Sequence, residues 1–213
     1  MVEPAGSPEV IRLFPTFVWK ARLGIEARAP IQSAILERLA VLRSGSPDLS
    51  PGEVWQSRHG LHTLPELEPL VKRIRWGVEQ VLGMLRVGSA AFEITGCWAN
   101  VVAPGGAVRI HNHPNNFASG VYYVQVQPGA NTINFHDPRP QATVVRPPVE
   151  ELTAYNTDQV VVQVDEGTIL IFPAWLMHSV DPNRSDTSRV SVSFNAMFSS
   201  YAETMSQPLW GER

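Results

Sequence analysis

Between residues 67 and 85 apolar side chains recur three and four positions apart: Leu67, Leu70, Val71, Ile74, Val78, Val81, Leu82 and Leu85. That spacing makes one stripe of an α-helix. Lys72, Arg73, Arg75 and Glu79 occupy the other face and read as a solvated surface. Upstream, Ile31, Ile35, Leu39 and Leu42 follow Pro30 at the same spacing, predicting a helix with proline in its first turn. Residues 11–19 (IRLFPTFVW) read as a strand interrupted by Pro15, which suits an edge or a bulge. Residues 45–52 (GSPDLSPG) read as a loop.

The period changes after residue 90. Residues 92–102, 107–113, 119–127, 131–137, 158–164, 168–172 and 188–198 are β-rich runs separated by Gly, Pro, Asn and Asp. Seven such runs with no helix between them predict a sandwich or barrel rather than βαβ units. The expectation is a mainly β protein with flanking helices, a single domain over residues 1–213. In it, residues 1–90 supply a strand and helices covering one sheet, and residues 91–200 supply the core.

Composition narrows the class. A chain of 213 residues, 44% hydrophobic and 17% charged, fits one soluble globular domain. Its net charge of −3, with no basic stripe or aromatic platform, argues against a nucleic-acid partner. Cys97 is the only cysteine, so no intrachain disulfide forms and a reducing cytoplasm suits the chain. It follows Gly96 in an apolar run, the setting of a buried inert thiol. Residues 1–15 lack the basic start of a signal peptide, and no apolar run approaches the roughly 20 residues of a bilayer span. A soluble, cytoplasmic protein without a membrane partner is expected.

Six histidines carry the candidate chemistry: His59, His62, His111, His113, His136 and His178. His111 and His113 stand at i and i+2 on a predicted strand end, which aims both imidazoles at one face, where they can share a divalent metal. A lone His-x-His pair is weak evidence, since single histidines are more often structural. His178 strengthens it, closing the apolar run ILIFPAWLMHSV; eleven residues on comes Arg189, then Ser191 on the same predicted strand face. An inward Arg grips a carboxylate bidentately, and a neighbouring hydroxyl adds a further hydrogen bond. The alternative is an Arg189 that faces solvent in a turn.

The segments HNHP…SGVYY (residues 111–123), FPAWLMHSVDP and RVSVSFN resemble the 2-oxoglutarate–Fe(II) oxygenases, specifically their bacterial and phage branch related to prolyl hydroxylases. The resemblance covers roughly residues 92–198, and residues 11–19 also look like that branch's start. It implies a double-stranded β-helix (jelly roll) with Fe(II) at one open end. 2-Oxoglutarate, the co-substrate, would chelate that metal and extend its distal carboxylate to Arg189 and Ser191. It implies oxidation of a substrate by O₂, with no side chain needed as acid or base. In related sites a tyrosine often touches 2-oxoglutarate, which makes Tyr123 a candidate; core packing is the equal alternative. Trp98 and Asn100 alternate on one strand face and could line the pocket.

The sequence departs from the family at one position. The wider superfamily uses two histidines and a carboxylate. Here the middle ligand position is His113, giving three imidazoles, His111, His113 and His178, as in some cupin dioxygenases. Asp137 is the alternative source of a carboxylate. Asn116 and Asn195 could orient a ligand or cap turns. His136, Asp137 and Arg139 could face the substrate or form a surface turn held by local ion pairs. His59 and His62 read as structural or lid residues. Two rival functions stay open: a cupin-like metal-dependent dioxygenase without 2-oxoglutarate, and a non-enzymatic module that binds a metal or small acid. The substrate, small molecule or peptidyl, is not specified, and either a monomer or a homodimer is compatible.

Overall fold

The computed structural model describes residues 9–88, 91–145, 147–153 and 155–202. Among these residues, ten strands form two antiparallel sheets. They are β1 (Trp19–Arg22), β2 (Val54–Gln56), β3 (Phe92–Val102), β4 (Val108–His111), β5 (Ala118–Gln125), β6 (Thr132–His136), β7 (Gln159–Gln163), β8 (Thr168–Pro173), β9 (His178–Val180) and β10 (Arg189–Phe198). The larger sheet runs β1-β8-β5-β10-β3-β2 and the smaller β4-β9-β6-β7. Consecutive strands repeatedly cross from one sheet to the other, and the two sheets enclose a common interior. This is the double-stranded β-helix.

The helices α1 (Ile25–Leu42) and α2 (Glu68–Met84) cover the outer face of the larger sheet. From α1 come the buried Ile31, Ile35 and Leu39; from α2 come Leu70, Ile74, Val78, Val81 and Leu82. They meet Val190, Val192, Phe194 and Ala196, the alternate outward residues of β10. Each such side chain contributes roughly 1.5–3 kcal/mol when fully buried. Close approach of α2 requires Gly77, because a Cβ there would stand 2.7 Å from Ile171 Cδ1. A second cluster fills the space between the sheets with Val121, Tyr123, Ile133, Phe135, Leu170 and Phe172. On the solvent side of α2, Lys72 pairs with Glu68 and Arg75 lies over the Phe92 ring.

Four elements differ here from the sequence expectation. The first strand is Trp19–Arg22, not residues 11–19. Pro15 and a left-handed Phe14 (φ 53°) interrupt the extended path, leaving Val10, Ile11, Leu13 and Phe14 exposed. Helix α1 starts five residues earlier, after Gly24, so Pro30 lies inside it. There it faces solvent, and water can satisfy the carbonyl that its missing N–H leaves free. The short β2 and β9 had too few residues to show a period.

Candidate metal centre

His111 ends β4 and His178 begins β9, and the two are direct cross-strand partners. Their ring centroids are 4.2 Å apart. His113 arrives differently from the strand alternation expected, because β4 ends at His111 and His113 lies beyond it. Its backbone N–H donates to the Ala174 carbonyl at 2.9 Å, just after β8. The turn that follows uses Asn115 at φ 62°, one of the few side chains that tolerates that region. The three side chains nonetheless converge: ligand-type nitrogens of His111, His113 and His178 all lie within 4.8 Å of one another, close enough that they could hold a metal ion.

Neighbouring carbonyls decide which nitrogen each ring offers. Nδ1 of His111 lies 2.8 Å from the Arg109 carbonyl, and Nδ1 of His178 lies 2.9 Å from the Leu176 carbonyl. A carbonyl can only accept, so Nδ1 carries the proton and the neutral ring keeps its lone pair on Nε2, the ligand form. Burial pushes the His178 imidazole down to about 4; the Leu176 bond opposes that shift and His111 adds to it. Burial likewise pushes His113 down to about 3, with His178, His111 and His59 adding to it. Both rings are therefore neutral at physiological pH. Trp98 packs 5.7 Å from the His113 ring and is itself stacked on His59 at 4.3 Å.

Asp137 does not join them. Its carboxylate accepts from Arg139 Nε at 3.0 Å and Nη2 at 2.6 Å, and those hydrogen bonds hold its pKa below the usual range. His136 turns to Ser179 Oγ, 2.9 Å away. The turn held by a local ion pair is what this segment forms.

Away from the metal end, Arg189 opens β10 and is only 3% exposed. The solvent-facing alternative is thereby overturned. Its Nη1 donates to the Thr132 carbonyl at 3.1 Å, while its Nε is buried with no hydrogen-bond partner among the described residues. The guanidinium lies 5.1 Å from the centroid of the Tyr123 ring. The Tyr123 hydroxyl is likewise buried without a partner among the described residues. Burial raises its pKa, and the nearby Arg189 charge opposes that rise. A buried cation with no carboxylate within 4 Å among the described residues is costly unless a ligand supplies one. The exposed Asp181 borders the same cavity, where it accepts from the Asn134 amide at 2.9 Å.

Strand register assembles the remaining candidates. Asn100 on β3, Ser191 on β10 and Tyr123 on β5 are direct cross-strand neighbours, so they form one row on the inner face. Asn100 is committed within that row: it accepts from Gln56 Nε2 at 2.8 Å and donates to Ser193 Oγ at 2.9 Å. Trp98 and Ser193 form the next row, and Gly96, Asn195 and Ser119 the one after. Ser119 donates to Asn195 Oδ1 at 2.7 Å, a buried pair that the sequence reading left undrawn. The signal was present: Ser191, Ser193 and Asn195 are polar at every second position of an otherwise apolar buried strand. Asn116 serves its own turn, donating to the Pro114 carbonyl. His62 lies away from the cluster, with a lowered pKa from burial and from Arg75.

Two ends of one β-helix thus hold a three-imidazole cluster and a buried uncompensated guanidinium, the architecture of a metal-dependent oxygenase. Residues 96–195 match the family described as "Putative 2OG-Fe(II) oxygenase". No curated protein matches the chain. Solved structures that resemble it include a prolyl-4-hydroxylase from Pseudomonas putida, 15% identical over 86% of this chain and 93% of that one, with TM-score 0.56. The α-ketoglutarate-dependent carbocyclase SnoK from nogalamycin biosynthesis is 15% identical over 92% and 90%, with TM-score 0.61. HygX from Streptomyces hygroscopicus, solved with nickel and 2-oxoglutarate, is 13% identical over 86% and 83%, with TM-score 0.58. At these identities the structural likeness defines the fold.

Proposed function

We propose that the chain is an Fe(II)- and 2-oxoglutarate-dependent oxygenase, a hydroxylase of a small-molecule or peptidyl substrate, with His111, His113 and His178 as its metal ligands. The observation that carries this reading is the buried Arg189 guanidinium, short of acceptors among the described residues, in the same interior as three converging imidazoles. Bound iron with 2-oxoglutarate supplies O₂-dependent oxidation of a C–H bond, yielding succinate and carbon dioxide.

The chain's own residues bind and orient. The Arg109 and Leu176 carbonyls lock the rings of His111 and His178 in the ligand tautomer. Arg189 receives the distal carboxylate of the co-substrate through its free donors, with Ser191 and the Tyr123 hydroxyl as neighbouring partners. Asn100, already bonded on both sides, stiffens that wall. Phe135 and Phe172, both in ring contact with His178, keep water from the inner side of the cluster. No acid or base is required of the protein.

A cupin-like dioxygenase shares the three histidines but has no use for a buried Arg189. Calorimetric titration of 2-oxoglutarate into anaerobic metal-loaded protein separates the two. Arg189→Leu removes a desolvated charge-assisted contact worth about 2–5 kcal/mol, which weakens 2-oxoglutarate about 30-fold or more with metal affinity nearly unchanged. Equal affinities in wild type and variant would refute the assignment of Arg189, and binding to neither would favour the cupin or sensor reading.

A further inference from the structure

The ligand cluster contains no negative charge, and neither does its supporting layer. The three converging groups are imidazoles, a ligand type that brings no negative charge. Metal-ligating histidines commonly pass their second N–H to a carboxylate, which adds negative charge behind the ring. Here the partners of His111 and His178 are backbone carbonyls, and His113 leans on Trp98. The carboxylate that the sequence offered as an alternative ligand, Asp137, pairs with Arg139. At the opposite end, Arg189 adds a buried positive charge, and the bordering Asp181 is exposed and bonded to Asn134. A divalent cation entering this interior meets the buried Arg189 charge, and no carboxylate stands among the three converging ligand groups.

We propose that the metal and dianionic 2-oxoglutarate occupy this site as a thermodynamically linked pair, with His113, in place of a carboxylate, setting the strength of the linkage. This rests on the reading of the site given above. In a carboxylate-bearing site the protein neutralises part of the metal's charge in advance. Here that share falls to the co-substrate, so each ligand supplies the charge the other lacks. Charge interactions in a buried interior are weakly screened, which makes the difference large. Linkage is reciprocal: the factor by which 2-oxoglutarate tightens the metal is the factor by which the metal tightens 2-oxoglutarate. The metal-bound protein without its co-substrate is then a minor species at low metal concentration.

Cobalt(II) serves as a redox-stable probe, titrated calorimetrically into metal-free protein with and without saturating 2-oxoglutarate and corrected for cobalt–oxoglutarate binding in buffer. In wild type, 2-oxoglutarate should tighten cobalt about 100-fold, near the top of the usual range of about 5–150-fold. In His113→Asp, cobalt alone should bind more tightly than in wild type, and the tightening by 2-oxoglutarate should be at least about ten-fold smaller. His113→Asn, which stays neutral, should not strengthen cobalt binding. His113→Glu carries the same charge should the Asp protein lose its circular dichroism spectrum. A wild-type linkage below about five-fold overturns the proposal without any variant. So does equal linkage in wild type and the carboxylate variant. Failure of wild type to bind cobalt under either condition would instead refute the metal-centre reading itself.

Discussion

The two sheets of this protein do different work with the same kind of strand. The six-stranded sheet contributes β3, β5, β8 and β10 to a core sealed by α1 and α2, and Val192 and Phe194 there are at most 1% exposed. The four-stranded sheet sends no residue into that helix-covered cluster, and on its edge strand β7 Val160 and Val161 are 47% and 54% exposed. Yet His111 and His178 stand on β4 and β9 of this thinly covered sheet, and Arg189 on the covered one. Stability and metal chemistry are therefore divided. The covered sheet supplies cohesion and carries Arg189, while the bare sheet presents His111 and His178 on short strands that a few backbone bonds position.

The largest expected effect lies in the covered sheet. Phe194→Ala should cost about 3–5 kcal/mol of stability, read as a lowered denaturant midpoint, because the surrounding strands and helices cannot collapse into the void. A loss under about 1 kcal/mol would break the division of labour. Gly120→Ala tests the same region by overfilling, since an added Cβ would collide with the Phe194 ring and the Leu170 carbonyl. About 1–3 kcal/mol of destabilisation is expected there.

Next comes the metal. His178→Ala should abolish stoichiometric binding of iron or cobalt while the circular dichroism spectrum stays near wild type, at a stability cost of about 1 kcal/mol. Full metal occupancy in that protein would remove His178 from the site.

A smaller effect follows from acid. His113 and His178 have folded-state pKa values of about 3 and about 4, below the ordinary 6.5 they regain on unfolding. The unfolded chain therefore takes up protons first. The metal-free protein keeps its full stability above about pH 6.5 and loses it as pH falls toward about 4, by up to about 1.4 kcal/mol per pH unit for each ring. Urea midpoints at pH 7.5, 6 and 5 measure the slope. His178→Ala should flatten it, and an unchanged slope would locate the acid-sensitive groups elsewhere. Smallest of all, Val161→Thr on the exposed edge should shift stability by no more than about 0.5 kcal/mol. A loss above about 1 kcal/mol would mean that β7 is covered after all.

What the sequence discloses divides along similar lines. The period of two in β3, β5 and β10 is long enough to read, so alternation puts Arg189 with Ser191 and Trp98 with Asn100 on shared faces, while the burial of Arg189 became visible only in the fold. The stripe of α2 is legible for the same reason. His113 is different: alternation gave the right neighbours for a reason the fold does not use, because a backbone bond to Ala174 and a left-handed Asn115 deliver that ring. Such contacts join segments about 60 residues apart, and no local pattern encodes them. The first strand was misplaced because apolar character at residues 11–18 outweighed Pro15, whereas its true extent, Trp19–Arg22, is fixed by pairing with β8. Asp137 could be neither promoted nor dismissed until Arg139 was seen to hold it.

Cys97 bears on the durability of a protein that works with dioxygen. Its thiol is fully buried among the helix-facing residues of β3, and burial pushes its pKa up to about 12. The next residue, Trp98, turns to the opposite face, toward His113. The sheet is thus a wall one residue thick, with oxidising chemistry on one side and the chain's single sulfhydryl on the other. As a protonated thiol without solvent access, Cys97 has almost none of the thiolate character on which sulfenic acid formation depends. Stray oxidant released at the metal should consume exposed methionines such as Met84 before it reaches this sulfur.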